Sequence, residues 1–268
     1  MNPAERILAI YDKLLQRQND GPMHAVWCEL FEIPTKDPHT EDDITACVVA
    51  LRAEIQLTRA LLTEHEVPAR LQGPGLDRLH NVASPALLNN NWHGIRGSLQ
   101  PPDTRVSLDW ACWALEDEQE GDVDAADRAA LAAALADLEQ KLADASATPF
   151  MAAFHRRQID VIRKGLRLYD IQGTGPLKDS LRRVVGDMRV EDKRLKAELD
   201  AAPEQNKGLM AGVAGIIDKA VKIAERGSKL KKGAEDIGAL AGAAKEQIES
   251  IAGSVQALLT YLPPSPPP

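Results

Sequence analysis

Aromatic residues are scarce in this chain: Phe, Trp and Tyr together make up 4% of its 268 residues. Strands favour aromatic and β-branched side chains, whereas the alanine that is frequent here favours helix. No stretch alternates apolar and polar residues in the period-two manner of a half-buried strand. Both absences point to an all-α fold. Cysteine is limited to Cys28, Cys47 and Cys112. An odd number without a C-x-x-C pair argues against a disulfide framework or a cysteine-based zinc cluster. No H-E-x-x-H, phosphate-binding loop or nucleophile elbow occurs, so the common signatures of metalloproteases, nucleotide hydrolases and α/β-hydrolases are missing. Gly173-Thr174-Gly175-Pro176 has the wrong glycine spacing for phosphate and reads as a turn.

Long apolar runs are also missing. The longest uncharged run in the heptad region, Ser250–Leu262, is too short for the roughly 20 residues a spanning helix needs. Charges at Glu5, Arg6, Asp12, Lys13 and Arg17 leave no secretory signal in the first residues. A reducing cytoplasm is the expected location, with peripheral membrane association as the alternative.

What is present is helical patterning. Apolar residues reach 44%, enough for a core. The strongest pattern runs from Leu209 to Leu262, stepping by four and three through Leu209, Val213, Ile216, Ala220, Ile223, Gly227, Leu230, Ala234, Ile237, Ala241, Ala244, Ile248, Ile251, Val255, Leu258 and Leu262. That is an a/d heptad stripe without an interrupting proline. It predicts coiled-coil-like packing or oligomerisation, with Ile216, Ile223, Leu230, Ile237, Ile248, Ile251, Val255 and Leu258 as the contact residues. Gly227 and Gly233 each weaken helix by roughly 1 kcal/mol relative to Ala, so a hairpin at that point competes with one long helix. The preserved heptad phase favours continuity.

Charge divides the chain. Residues 1–150 hold 12 Lys/Arg against 25 Asp/Glu, and the remainder holds 20 against 15. The expected organisation is an acidic, compact helical domain over 1–147, a basic long-helix assembly region over 148–262 and a proline-rich tail over 263–268. Lys219, Lys222, Arg226, Lys229, Lys231 and Lys232 crowd one short stretch and form a candidate surface for an anionic membrane. A net charge of -8 and the lack of interleaved aromatics disfavour nucleic acid.

Within the first domain, Asn2-Pro3 opens a helix, Thr40 with Asp43 resembles a capping box, and Gln72-Gly73-Pro74-Gly75 reads as a turn. The helix from Thr104 places Val106, Trp110, Trp113 and Ala114 on one side. Trp92, His93 and Trp110 form a candidate pocket, although tryptophans equally line cores. His24 and Cys28 share a helix face but lack further ligands for zinc. Glu116, Glu118, Glu120, Gly121, Asp124 and Asp127 approximate a calcium loop, yet Glu is too long at its early positions and Asp too short at its last. No metal or cofactor is expected. The leading functional reading is a non-enzymatic interaction protein that binds a protein partner or itself. A bacterial membrane-active effector, such as a toxin or defence component, is the alternative, and an enzyme with the Trp92/His93/Trp110 pocket is the third.

Overall fold

The computed structural model describes residues 1–121, 123–200, 204–227 and 231–252, with backbone alone for 204–207, 231–237, 241 and 252. Every regular element among the described residues is helical. Two compact units are formed, one by Met1–Glu120 with Asp170–Gly173, the other by Gly121–Tyr169 with the chain from Thr174 onward. The break near residue 147 therefore lies inside the second unit.

The first unit contains α1 (Pro3–Gln16), α2 (Met23–Leu30), α3 (Thr40–Glu64), α4 (Ala69–Val82), α5 (Trp92–Arg96) and α6 (Pro102–Ala114). Asn2 starts α1 as its sequence implies. Its side-chain oxygen accepts from Glu5 N–H while Glu5 accepts from Asn2 N–H, each at 2.9 Å. The same buried amide donates to Cys112 O and Leu115 O at 3.0 Å, so one side chain caps the start of α1 and the end of α6. The capping box expected at Thr40 and Asp43 does not form. Thr40 is already helical, and its hydroxyl donates to the carbonyls of Pro34 and Asp37 instead.

The turn expected at Gln72–Gly75 is absent as well. Helix α4 runs through Pro74. Proline cannot donate to the carbonyl of Arg70. Tertiary packing compensates, because a Cβ on Gly75 would meet Ser107 Oγ at 2.3 Å and Thr104 O at 2.8 Å. Glycine thus lets α4 and α6 approach closely, and this packing overrides the local turn propensity of a Gly-Pro-Gly triplet.

The core of this unit is built from Ile7, Leu14, Trp27, Leu51, Ile55, Leu79, Trp92 and Leu108, all at most 1% exposed. Burying each such side chain contributes about 1.5–3 kcal/mol. An ion pair is set among them: Arg6 donates from Nε and Nη2 to Glu54 Oε1 at 3.0 and 2.5 Å. No hydrophobic periodicity announces this pair. Burial outweighs the guanidinium and pushes the Glu54 carboxyl up to about 7.

The second unit contains α7 (Ala125–Asp144), α8 (Pro149–Arg167), α10 (Gly175–Val190), α11 (Asp192–Asp200), α12 (Glu204–Arg226) and α13 (Lys231–Ala252); the four-residue α9 (Tyr169–Gln172) leads from α8 to α10. Thr148 caps α8 by accepting from Met151 N–H at 3.3 Å, with Pro149 at the first helical position. Leu131, Leu135, Leu138 and Leu142 of α7 meet Leu177, Leu181, Val184 and Met188 of α10 and the apolar face of α12 in one core.

The heptad stretch is two helices, not one. Helix α12 ends at Arg226, and α13 packs back against it. Gly227 is small because its neighbour demands it: a Cβ there would meet Thr174 Cγ2 at 2.0 Å. Leu209, Val213, Ile216, Ala220, Ile223, Ala244 and Ile251 are buried in the core of their own unit, and Ile248 is half-buried against it. Heptad spacing here serves intramolecular packing. Leu230, Val255 and Leu258, and the side chain of Ile237, lie outside the described residues.

Candidate functional site

Helix α6 is apolar on two opposite faces. Thr104, Leu108, Ala111 and Leu115 recur at four- and three-residue spacing and are buried. Val106, Trp110 and Trp113 follow the same spacing on the other side, and they are 53%, 53% and 63% exposed. Of the tryptophans that could line a pocket or a core, Trp110 and Trp113 do not enter the core. One stripe had to lose, and close packing of Gly75 against Ser107 and Thr104 turns the smaller-residue face inward.

The exposed stripe borders a groove of about 220 Å³ lined by Leu62, Val67, Pro68, Leu71, Trp110 and Trp113, with His65, Glu66 and Ser107 at its polar edge. This is smaller than the roughly 300–1,000 Å³ of a typical small-molecule pocket. The floor follows from how α3 ends. Glu66 adopts φ 57°, and Val67 N–H donates to Leu62 O at 2.9 Å. This is a Schellman-type cap, in which an apolar residue after the left-handed position packs back on the last turn. Val67 and Leu62 accordingly sit side by side in the groove. Glycine usually takes the left-handed position, so Glu66 holds it at a cost.

Glu66 on the groove's edge is exposed, and ion pairs form on the surface beyond it. His65 Nε2 lies 3.2 Å from Glu118 Oε1, Arg78 grips Asp103 at 2.6 and 3.1 Å, and Arg105 reaches Asp109 at 3.2 Å. Trp110 and Trp113 stand edge to face with centroids 5.3 Å apart. Neither indole N–H has an acceptor among the described residues.

The structure does not bring Trp92 and His93 to this groove. Trp92 is fully buried, and His93 is exposed beside Asp20, whose carboxylate accepts from His93 N–H at 2.9 Å. Two backbone N–H groups, from His93 and Gly21, hold the Asp20 carboxyl below its ordinary range. His93 thus helps to fasten the segment that begins α5.

Two of the three thiols are shifted away from reactivity. Burial pushes the Cys112 thiol up to about 12, with Glu5 and Asp109 adding to the effect, and burial also raises Cys28. His155 is buried in the second unit, its ring nitrogens have no hydrogen-bond partner among the described residues, and desolvation lowers it to about 4. Among the described residues no group of three or more His, Cys, Asp or Glu is placed to hold a metal ion. In the acidic loop, Asp124 caps α7 through Ala126 N–H, and Asp127 pairs with Arg226.

Of the basic cluster, Lys219, Lys222 and Arg226 are exposed on α12. Lys222 pairs with Asp218 at 2.8 Å, and Arg226 with Asp127. Lys229 and the side chains of Lys231 and Lys232 lie outside the described residues. Among the described residues no helix is long and apolar enough to cross a membrane.

Sequence reasoning missed the outward face of α6. A usable signal existed in the two competing stripes, since only one can face the core. No known family, curated protein or solved structure matches this chain.

Proposed function

We propose that this chain is a non-enzymatic interaction protein, and that its N-terminal helical unit docks a protein partner on the ledge formed by Trp110 and Trp113. The observation that carries this reading is the exposure of two tryptophans and a valine on one stripe of a helix whose opposite stripe is already buried. Tryptophan is enriched at energetic hot spots of interfaces, and contiguous exposed apolar surface marks a place where something binds. The apolar ledge, edged by His65, Glu66 and Ser107, is the feature that a partner would recognise.

Self-association through the C-terminal heptad stripe draws less support, because its described members are already buried within their own unit. An anionic membrane surface also draws less, because two of the three described cations in the cluster are paired with carboxylates. An enzymatic reading would need an activated group, and the thiols described above are shifted away from reactivity.

A photo-crosslinking residue at Val106, in the full chain expressed in its own cells, tests the proposal. Covalent adducts are expected from Val106 and not from the same residue at Val190, which is exposed on the other unit. Absence of adducts at Val106, or identical adducts at both positions, would overturn it.

A further inference from the structure

The surroundings of the ledge restrict what can lie on it. The groove wall is apolar, and its edge is acidic. Glu66 lines the groove, Glu64 stands just before it at the end of α3, and Glu116 and Asp117 follow α6. These four carboxylates are exposed and have no ion-pair partner among the described residues. The two segments that carry them meet, because His65 Nε2 lies 3.2 Å from Glu118 Oε1. Opposing charge is small. His65 is engaged with Glu118, and Arg70 is exposed on α4, one residue before Leu71. Helices α3 and α6 end at the groove and α4 begins there, so two negative dipole ends stand against one positive end.

The complement of such a groove is a segment that is apolar on one side and carries lysine or arginine beside it. Apolar side chains fill the groove, and the cation faces Glu66 and its neighbours. Opposite charge at that edge steers encounter and turns acidic segments away. The exposed indole faces favour the same charge, since an aromatic face attracts a guanidinium or ammonium group. Other rings of this chain receive its own arginines in that way: Arg194 lies over Phe150 at 3.9 Å and Arg128 over Tyr169 at 4.9 Å. No arginine lies over Trp110 or Trp113 among the described residues. We propose that the Trp110–Trp113 groove binds a basic, apolar peptide segment of a partner protein, with the lysine or arginine of that segment held at the Glu64–Glu66 edge. This inference rests on the reading of the ledge as a docking surface and names the chemistry of what docks.

The test selects short random peptides from a displayed library on the full chain, with counter-selection on the Trp110→Ala, Trp113→Ala double variant. Enriched peptides are then synthesised, labelled and titrated by fluorescence anisotropy. They should carry net positive charge and a large apolar residue. The tryptophan variant should weaken them by ~10-fold or more, with an unchanged circular dichroism spectrum and melting temperature. Glu64→Gln with Glu66→Gln should weaken them by ~5-fold. Glu41→Gln with Asp42→Asn removes the same charge at the other end of α3, about 35 Å away at ~1.5 Å per residue. That variant should change binding by less than ~2-fold, because charges so distant are screened at ~0.1 M salt. Basic, apolar peptides that need both the tryptophans and the two glutamates support the proposal. Enriched peptides that are neutral or acidic, equal losses in the two charge variants, or no enrichment overturn it. Crosslinking from Val106 separates this failure from that of the docking reading. Specific adducts there, alongside a failed selection, leave the ledge a docking surface for another chemistry, and adducts to this chain itself replace the partner by a second copy. If selection and crosslinking both fail, the docking reading falls too.

Discussion

The backbone N–H of Gly75 donates to the hydroxyl of Ser107 at 2.7 Å. This bond joins α4 to α6 at the point where Pro74 interrupts the helical ladder, and it fixes which face of α6 turns inward. The tryptophan ledge depends on it, since Ser107 stands in the groove wall beside Trp110.

Gly75→Ala should therefore cost about 2–4 kcal/mol, as overpacking against a backbone carbonyl cannot be relieved by a side-chain rotation. Ser107→Ala should cost about 1–2 kcal/mol by leaving the Gly75 N–H without its acceptor. Combining the two should not restore stability, because Thr104 O stays within 2.8 Å of the added Cβ. Urea denaturation of the three variants checks this. A double variant as stable as wild type would show that the close approach is dispensable.

The two units should respond to pH in opposite directions. Glu54 has its folded carboxyl raised from 4.5 to about 7, chiefly by burial. Its neutral form is favoured on folding, so its contribution is fully present below about pH 4.5 and is lost as pH rises through 7, on the order of 3 kcal/mol. His155 is lowered from 6.5 to about 4, also by burial. Its contribution is present above pH 6.5 and is lost as pH falls through 4. Stability measured from pH 4 to 8 should lose its decline toward high pH in Glu54→Gln and soften its decline toward low pH in His155→Phe. Glu54→Gln should also be less stable than wild type near pH 8, where it removes the counter-charge of the buried Arg6. Parallel pH profiles for wild type and both variants would contradict this account.

Glu66 sits at φ 57° in the cap after α3. Glycine at this position avoids the Cβ penalty, so Glu66→Gly should raise stability by about 0.5–1 kcal/mol even after the entropy lost from the unfolded chain. Thermal unfolding reads the gain. A destabilised variant would mean that the Glu66 side chain makes a contribution larger than its backbone strain.

Ile223 is buried between α12 and its neighbours in the second unit. Ile223→Asp should unfold that unit, costing more than about 4 kcal/mol through an unpaired buried charge. Circular dichroism should report loss of helix. A fully helical variant whose only change is a lower mass in solution would instead place this stripe at an interface between chains.

Much of the fold is legible in one dimension. Ile44, Cys47, Val48, Leu51 and Ile55 of α3, and Leu131, Leu135, Leu138 and Leu142 of α7, repeat at helical spacing and are buried as that spacing implies. Asn2 before Pro3 and Thr148 before Pro149 mark helix starts that the structure contains. These features are local: a cap needs only the next three residues, and a stripe needs only its own helix. Features that depend on a second element are not legible in the same way. Pro74 lies within a helix because Ser107 and Thr104 come from elsewhere to meet it. Arg6 finds Glu54 across 48 residues. The described heptad residues of α12 and α13 pack within one unit although the same spacing would serve two chains. Most directly, α6 carries two stripes of equal period, and no property of that helix alone chooses between them. The sequence determined that this protein is helical, where many of its helices begin and which residues could pack. The tertiary structure decided which of those residues do pack, because burial is a competition among faces for one core, and by burying one face of α6 it left Trp110 and Trp113 outside.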